Sequence, residues 1–584
     1  MGLGDRGSVS SSDRRGEATL AFNENPKIRC VGSDGPVSGP RFSSQVLIDA
    51  REIDDGARLT SDLVVVGAGP AGISIVDRLR FSELSICLID GGGFLPDRRT
   101  QRLCGGESIG APYFRLDACR FREFGGSGNR WGGCCRPLNP VDFKQRDWLP
   151  WSGWPIDRAE LEPFYADAAE LLQLPTWRFA EDEWPARMPP PLDMSGTDFE
   201  NTIFEYSPVT DFGVRYRDRI VHAKHVTTLL HANVTELLLD PDGRRIDAVQ
   251  VRTLTARSFR VQGRAVVLAA GGIENPRLLL ASGRARPAGI GNERDLVGRF
   301  FMEHLHTPAG HLKSDESLVS REFYRHATYA GRRVRGLLTP TAQAQTRHGL
   351  LGCSIAIDAA SYAGDTGSPF VQSPPALRMA YLQLQRVVRR EVATELKHWA
   401  RFVWDKGQMI DTWRSARAAQ MRDPAASDMR RGQVLSLYVR AEQAPNPSSR
   451  VSLSQRKDAL GVPRPRLDWR LQDADTGSIL AWLAELDAEM RGRAVAHVIK
   501  MREDWGDRIV GGPHHMGTTR MSGDPRTGVV DAQCRVHSVE NLYIAGSSVF
   551  STSGWSNPTF TIVALALRLA DELQRSLTRE PHEQ

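Results

Sequence analysis

The chain has 584 residues, too many for one ordinary hydrophobic core, so two structural domains are expected. Hydrophobic residues make up 41% of the chain, which is enough for packed interiors. The net charge of +5 is small for this length, whereas a nucleic-acid-binding protein needs a concentrated basic face. Nucleic acid is therefore not an expected partner.

The cysteines and the N-terminal segment bear on the compartment. None of the eight cysteines forms a CxxC pair, and the adjacent Cys134 and Cys135 suit neither a disulfide nor a metal site. Free thiols predict a reducing compartment. Residues 1–45 are expected to be mobile, and Arg14-Arg15 is not followed by the apolar core of an export signal. No apolar run approaches the ~20 residues of a membrane span, so the predicted location is the cytoplasm.

The first ordered elements predict a dinucleotide fold. VLIDAREI (46–53) is typical of a short strand, and a second strand over 62–66 ends at a glycine turn, VVVGAGPAGI. A helix to about Arg80 and a third strand over 84–90 follow. Strand, glycine turn, helix and strand form the opening unit of a Rossmann-like domain.

The glycine turn fits the pattern GxGxxG at Gly67, Gly69 and Gly72. The first glycine permits the tight turn, the second lets the backbone approach a pyrophosphate, and the third allows close helix–strand packing. Asp90 lies 18 residues after Gly72, the usual place for a carboxylate that binds ribose hydroxyls.

The middle of the chain alternates loops, helices and strands. The stretch FGGSGNRWGGCCRPLNP is typical of a folded loop, and 157–173 predicts an amphipathic helix. Strands are predicted over 226–239, 246–253 and 265–270, and another helix near Asn275-Pro276. A nicotinamide fold would complete its sheet sooner, so the long insertion before the sheet resumes favours FAD.

Residues 310–505 mix strand-like and helical pieces. Within them, apolar residues recur every three or four positions over 377–403 and mark one face of a basic helix. Two interpretations stay open: a helix that covers a core with a solvated basic back, or a helix that docks on a membrane surface or a partner.

The C-terminal part carries two stretches with chemistry. GGPHHMGTTRM places His514 in a glycine-flanked turn, and histidine is the side chain whose pKa suits a proton acceptor near neutral pH. In GWSNPTFTIVALALRLADEL, the residues Asn557, Pro558 and Thr559 are predicted to be the N-cap, N1 and N2 of an apolar helix.

These stretches resemble the GMC (glucose–methanol–choline) family of FAD-dependent oxidoreductases. The resemblance runs from about residue 46 to 575 and includes FGGSGNRWGG, GGIENPRLLLASG, LVGRFFMEH and NPSSRVSLS beside the glycine turn and the C-terminal blocks. Gly-Gly-x-His-x-Met-Gly and Asn-Pro-Thr place it nearest the pyranose-oxidase-like branch. Asn275 departs from the usual pattern, in which serine or threonine is commoner.

The resemblance implies an α/β fold, α+β overall, in which a Rossmann-like FAD-binding domain carries an inserted substrate domain built on an antiparallel sheet and helices. The implied segments follow in chain order. They are 1–45, mobile; 46–140, 221–309 and 510–584, FAD-binding; and 141–220 and 310–509, substrate-binding.

The resemblance also implies the site residues. His514 would be the catalytic base and Asn557 its partner, while His515 would point elsewhere. Arg130 stands where some relatives carry the histidine that bonds covalently to FAD, so non-covalent FAD is expected. The implied FAD-binding residues are Gly67, Gly69, Pro70, Ala71, Gly72, Asp90, Gly126, Ser127, Asn129, Arg130, Trp131, Gly132, Val234, Ala270, Gly546, Asn557, Pro558 and Thr559.

The expected reaction is oxidation of an alcohol to a carbonyl by hydride transfer to flavin N5, with a sugar-like or polyol substrate favoured. A hydrophobic alcohol such as a sterol, a non-redox FAD-containing lyase and a non-catalytic flavin-binding protein are the alternatives. The electron acceptor, oxygen or a quinone or dye, and the oligomeric state stay open. His304 and His306 are two residues apart with no third ligand in view, so no metal is expected, and the family implies a structural role near the domain junction.

Overall fold

The computed structural model describes residues 46–175, 179, 184–185, 187–314, 321–357, 434–493, 496–500 and 509–578. The predicted mobile segment 1–45 and the predicted basic helix 377–403 lie outside these residues. Within them, no helix is both long enough and apolar enough to cross a membrane.

The first sheet contains the predicted dinucleotide unit. Its strands, in spatial order, are β1 (Val46–Asp49), β7 (Val226–Leu230), β3 (Ile86–Ile89), β2 (Arg58–Val66), β10 (Ser258–Leu268), β9 (Ile246–Arg252) and β8 (Asn233–Leu239), with β20 (Leu542–Ile544) also beside β10. The pairs β1–β7, β7–β3, β3–β2, β2–β10 and β10–β20 are parallel, whereas β9 is antiparallel to its two neighbours, β10 and β8. All four residues of β3 are buried, as expected for a parallel strand covered on both faces.

The second sheet is antiparallel and takes its strands from several parts of the chain. In spatial order they are β18 (Ala496–Lys500), β11 (Leu305–Ser314), β15 (Val434–Ala441), β14 (Cys353–Ile357), β13 (Arg332–Pro340), β6 (Phe199–Tyr206) and β5 (Cys134–Cys135), with β19 (Val510–Gly511) beside β11 and β12 (Ala327–Tyr329) beside β13. The pairing of β11 with β15 shifts between Pro308 and Gly310, which marks a β-bulge. A parallel sheet with helices and a separate antiparallel sheet together confirm the predicted fold class.

A third, small sheet joins β16 (Arg450–Lys457), β17 (Pro463–Trp469) and β4 (Glu107–Gly110). The described helices are α1 (Pro70–Leu79), α2 (Arg98–Gln101), α3 (Pro140–Phe143), α4 (Arg158–Leu171), α5 (Phe212–Val221), α6 (Gly271–Ala281), α7 (Arg321–Tyr324), α8 (Ala342–His348), α9 (Asp473–Gly492) and α10 (Thr559–Thr578). Helix α10 packs on α1 and α4, where the Tyr165 and Phe560 rings lie 5.0 Å apart. Its packing on α1 places the C-terminal helix beside the helix that follows the glycine turn.

Two elements differ from the sequence-based expectation. The predicted strand 46–53 ends at Asp49, because the Asp49 carboxylate accepts from the amide of Arg51 at 3.0 Å and turns the chain. Helix α6 begins at Gly271 rather than near Asn275-Pro276. Pro276 has no N–H to offer the carbonyl of Gly272, but the Thr518 hydroxyl donates to that carbonyl at 2.6 Å, so the proline is tolerated inside the helix.

The cysteines in the described part of the chain, Cys87, Cys104, Cys119, Cys134, Cys135, Cys353 and Cys534, are all buried free thiols. Burial raises the pKa of Cys87 to about 12, so that thiol stays protonated. The reducing compartment and the cytoplasmic location remain predictions.

Candidate active site

The glycine turn between β2 and α1 is crowded on one side and open on the other. Gly67 has a φ of +106°, and a Cβ there would lie 2.7 Å from the carbonyl oxygen of Ala269. A Cβ on Gly72 would lie 2.0 Å from the carbonyl oxygen of Gly67. Gly69, by contrast, has no atom within 4 Å of its Cβ position. A ligand therefore has room to approach the backbone at Gly69, as the motif predicts.

The N-terminus of α1 faces the same opening. Gly69 is the N-cap residue, no side chain caps the helix, and Pro70 occupies the first turn ahead of the buried Ala71 and Gly72. The amide groups of an uncapped helix start carry partial positive charge and bind anions. This is where the sequence predicts a pyrophosphate.

Asp90 follows β3 and already binds backbone amides. Its Oδ2 accepts from the amide of Ala68 at 2.9 Å, and its Oδ1 accepts from the amide of Gly92 at 2.8 Å. Burial raises the pKa of this carboxyl. Asp90 thus ties the glycine turn to the next loop, and each oxygen keeps a second lone pair for the predicted contact with ribose.

The loop over 124–133 packs against the glycine turn. A Cβ on Gly126 would lie 3.2 Å from the Cα of Gly69. Asn129 accepts from the amide of Gly213 at 2.7 Å, and the Trp131 indole donates to the carbonyl of Val209 at 2.8 Å. These two side chains shape the loop, whereas Ser127 and Gly132 are exposed.

Arg130 occupies the position where a linking histidine would stand. Its guanidinium lies 3.2 Å from a carboxylate oxygen of Glu123. A guanidinium stays protonated and is not a nucleophile toward a flavin. The Arg130 guanidinium is therefore held by an ion pair within this loop.

Three more predicted cofactor residues lie in or directly after strands of the first sheet. Val234 is in β8, Ala270 is the N-cap of α6 after β10, and Gly546 follows β20 with a φ of +106°. Asn275 connects two of these turns, because its Oδ1 accepts from the amide of Ala270 at 2.9 Å and its Nδ2 donates to Ser548 Oγ at 3.0 Å. The asparagine that departs from the family pattern thus has a clear bonding role.

His514 lies in a turn that a buried glutamate holds. Glu303 Oε2 accepts from the amides of Gly512 at 3.0 Å and His514 at 2.8 Å, and its Oε1 accepts from the Tyr113 hydroxyl. A Cβ on Gly512 would lie 2.5 Å from Nε2 of His306 and 3.0 Å from Nδ1 of His514. Glycine at this position leaves room for both imidazoles. Burial raises the pKa of Glu303 to about 7.

His304 is hydrogen-bonded to His514, a contact that the sequence interpretation missed. The two Nδ1 atoms lie 2.9 Å apart, and Nε2 of His304 lies 3.3 Å from the carbonyl oxygen of Ser553. Burial and the charge of Arg440 lower the pKa of His304 to about 3, so its ring is neutral. Burial and the neighbouring histidines also lower the pKa of His514 well below 6.5.

The tautomers of this pair follow from their partners. A carbonyl oxygen only accepts, so the proton of neutral His304 is on Nε2 and its Nδ1 is an acceptor. The proton between the rings then belongs to Nδ1 of His514. This arrangement leaves Nε2 of His514 with a bare lone pair.

His515 points away from this pair. Its Nε2 lies 3.8 Å from the Cys119 sulfur and 3.9 Å from Glu303 Oε1, and its ring packs near Phe301. Burial lowers its pKa to about 3. The side chain is therefore part of the packing behind the turn.

Asn557 precedes α10 but is not its N-cap, which corrects the sequence-based assignment. The helix begins at Thr559, and the carbonyl of Pro558 accepts its first bond, from the amide of Ile562 at 2.8 Å. Pro558 is therefore the N-cap residue, because it directly precedes the helix and its carbonyl accepts the first helical hydrogen bond. No described residue hydrogen-bonds to Oδ1 of Asn557, although that atom is buried.

One side of the second sheet adjoins the histidines, and we call it the His306 face. His306 pairs with Arg440, and Arg440 pairs with Ser354, so the three side chains form one row. In the next row Tyr438 pairs with Ala356. Trp555 packs on this side, with its ring 5.8 Å from Phe204. Alternation along one strand can indicate which of its residues share a face. It does not indicate which strands pair with each other.

Several buried polar atoms on and above the His306 face have no hydrogen-bond partner among the described residues. They are both ring nitrogens of His306, Thr202 Oγ1, Ser354 Oγ, Trp555 Nε1, Ser556 Oγ and Asn557 Oδ1. Buried polar groups are ordinarily bonded, so these atoms indicate a polar ligand or water. Within the described ranges, no group of three or more His, Cys, Asp or Glu side chains is arranged to hold a metal ion.

Comparisons with known proteins agree with this architecture. Two family models described as GMC oxidoreductase match residues 218–306 and 445–566. The chain is 26% identical to the fructose dehydrogenase large subunit of Gluconobacter japonicus, covering 63% of this chain but only 58% of that protein. It is 25% identical to paromamine 6'-oxidase of Streptomyces fradiae, covering 87% of this chain and 90% of that protein.

The solved structure of a formate oxidase has the same fold. It aligns with a TM-score of 0.53 at 14% identity, over 90% of this chain and 99% of that one. The shared fold and the matches to the N-terminal and C-terminal family models therefore point to the same family. The chain carries both the N-terminal and the C-terminal model of the GMC oxidoreductase family.

Proposed function

We propose that this chain binds FAD without a covalent bond and oxidises a hydroxyl group of a sugar-like or polyol substrate to a carbonyl, with His514 as base and Asn557 as partner. The observation that carries the proposal is the 2.9 Å contact between Nδ1 of His304 and Nδ1 of His514. It leaves Nε2 of His514 as an unprotonated nitrogen in a buried site.

The residues around the glycine turn fit FAD. Gly69 has open space at its Cβ position, and so does Gly271, whose φ is +86°. The uncapped start of α1 suits a pyrophosphate, and Asp90 suits a ribose. FAD, when bound, supplies the hydride acceptor for alcohol oxidation.

His514 would take the hydroxyl proton of the substrate at Nε2. Its neutral form dominates at neutral pH, because burial first, and then His304, His306 and Arg440, lower its pKa. Protonation would place a new charge beside Arg440, which disfavours it in the resting state. The same Arg440 charge favours an alkoxide, the form that the substrate oxygen approaches as its proton leaves.

His304 would be a positioning residue for this step. By accepting at Nδ1 it keeps the proton of His514 on Nδ1 and the reactive lone pair on Nε2. The Glu303 carboxyl holds the backbone of the same turn through two amides. Two separate contacts therefore fix the ring and its tautomer.

Asn557 would orient the substrate oxygen. Its Oδ1, an acceptor, is left unbonded by the described residues, and its backbone does not cap α10. The Nδ2 group of the same amide can donate to the alcohol oxygen while His514 accepts the hydroxyl proton. Asn557 lies four residues beyond Ser553, whose carbonyl contacts His304.

The polar atoms of the His306 face favour a polyhydroxylated substrate over a sterol. A hydrophobic alcohol would leave these buried atoms without partners, which is destabilising. The two curated relatives described above act on fructose and paromamine by their names. Both observations support a sugar-like substrate, as does the likeness to the pyranose-oxidase-like branch.

The test is anaerobic bleaching of the flavin by a panel of sugars, polyols and hydrophobic alcohols, repeated with oxygen and with a quinone to identify the acceptor. Bleaching by sugars or polyols, abolished in His514→Ala, is the expected result. No bleaching by any alcohol would contradict an oxidase or dehydrogenase and favour a lyase. Acid precipitation should release the flavin into the supernatant, whereas flavin in the pellet would contradict non-covalent binding.

A further inference from the structure

His306 has a bonding capacity that the described residues leave unused. Its side chain is 1% exposed, and neither Nδ1 nor Nε2 has a hydrogen-bond partner among the described residues. A neutral imidazole carries one donor and one acceptor. Because a buried polar atom without a partner is unfavourable, both atoms indicate a polar ligand or water.

The position of His306 relates it to the base. Its ring centroid lies 6.0 Å from that of His514 and 6.0 Å from that of Tyr438. Hydrogen bonds to hydroxyl groups are about 2.8 Å long, so the separation of the two rings is compatible with two hydroxyls on neighbouring carbons, one bonded to each ring. The hydroxyl at His306 would then be next to the one that is oxidised.

The row that begins at His306 continues across the sheet to Ser354. Ser354 is also 1% exposed, and its Oγ has no partner among the described residues. Two strand spacings separate the backbones of these residues, roughly 10 Å. A three-carbon substrate held at His514 and His306 would not reach Ser354, whereas a longer polyol would.

We propose that His306 binds a second hydroxyl of the substrate, on the carbon next to the oxidised one, and so selects vicinal diols and sugars over simple alcohols. The inference rests on the proposed function, since the place of the base defines which carbon is oxidised. Arg440 lies between His306 and Ser354 in the same row, and burial first and then the charge of Arg440 lower the pKa of His306.

The experiment compares 1,2-propanediol with 1-propanol on the flavin-loaded enzyme. Dissociation constants are measured from the oxidised flavin spectrum and by calorimetry without oxygen, and the flavin reduction rate is recorded in parallel. The wild type should bind the diol about tenfold more tightly than 1-propanol, the effect of one hydrogen bond. His306→Phe should abolish this preference.

Three variants separate recognition from general damage. His306→Gln retains a donor and an acceptor and should keep part of the preference, which guards against a misfolded His306→Phe. Ser354→Ala should keep the propanediol preference but weaken binding of D-sorbitol. His537→Phe is the control, because His537 is bonded to the carbonyl of Ser522 at 3.0 Å, and this variant should match the wild type.

Two outcomes would overturn the inference: a wild type without diol preference, or an unchanged preference in both His306→Phe and His306→Gln. The same measurements distinguish a failure of the proposed function from a failure of the proposed subsite. If no alcohol bleaches the flavin but the diol still binds through His306, the oxidation is wrong and the subsite stands. If alcohols bleach the flavin without a His306-dependent preference, the oxidation stands and the subsite is wrong.

Discussion

The glycine turn and the His306 face differ in which parts of the chain form them. The turn offers backbone and empty space: three glycines within six residues, two of them packed against other atoms and one open. The His306 face offers side chains from separate strands, with buried polar atoms that the described residues leave unbonded. The turn therefore depends on local conformation, whereas the face depends on correct pairing of distant strands.

The largest expected effect is on stability and FAD binding, and it differs between two glycines of the same turn. Gly72→Val would place its Cβ 2.0 Å from the carbonyl oxygen of Gly67 and should destabilise the fold by more than about 3 kcal/mol. Gly69→Val has open space, so it should fold normally but lose FAD. Thermal unfolding and flavin content measure the two effects. A stable, flavin-loaded Gly69→Val would contradict the proposed approach of the cofactor to this residue.

The next effect concerns the adjacent histidines. His514→Ala should slow flavin reduction by roughly 100-fold or more while FAD stays bound, because the base is lost. His515→Ala should slow it much less, since that ring packs against Cys119 and Phe301. Stopped-flow reduction under anaerobic conditions compares the two. A larger loss in His515→Ala would move the base by one residue.

The partner of the base gives a smaller effect. His304→Leu removes the acceptor for Nδ1 of His514, frees the other tautomer and should slow reduction by roughly tenfold or more. His304→Asn can place an amide oxygen near the same position and should restore part of the rate. A shifted pH profile in His304→Leu, reversed in His304→Asn, separates positioning from packing. Equal rates in both variants would contradict the tautomer argument.

Asn557→Asp tests a polar group that stands outside the helix. Because Pro558 caps α10, the melting temperature should stay near that of the wild type. Flavin reduction should still fall, by roughly tenfold, because an ionised carboxylate cannot donate to the substrate oxygen. Equal losses of stability and activity would make the residue mainly structural, and full activity would remove it from the proposed pair.

The smallest effect is a pH dependence of stability at Glu303. Its pKa is raised from 4.5 to about 7 by burial, so the folded state binds more protons than the unfolded state between these values. Its contribution is present below pH 4.5 and is lost as the pH rises through about 7, at most about 3 kcal/mol. Glu303→Gln lacks this loss, so its melting temperature relative to the wild type should rise from pH 5 to 8. A constant difference would contradict the raised pKa.

The sequence predicted the turn well because each requirement is local. GxGxxG between a strand and a helix fixes which glycine is crowded and which is open. His514 was identified from a block of neighbouring residues, but its hydrogen bond to His304 was not. That contact depends on how the segment after β19 lies beside the start of β11, as the bridge between Met302 and Met516 does.

The errors have the same origin. The start of α6 was placed too late because the Thr518 hydroxyl, from a distant part of the chain, replaces the bond that Pro276 cannot make. The cap of α10 was shifted by one residue because a proline can itself be the cap. The row of His306, Arg440 and Ser354 could not be predicted, since no local pattern indicates that these three residues pair.

The β-bulge in β11 has a consequence for how specificity can change. A one-residue slip in a strand turns every following side chain to the other face. The bulge between Pro308 and Gly310 already contains such a slip, just beyond His304 and His306. Insertions or deletions in the outer half of β11 can therefore be absorbed there while the two histidines keep their orientation. This end of β11 is thus free to diversify, in evolution or by design, without disturbing the two histidines.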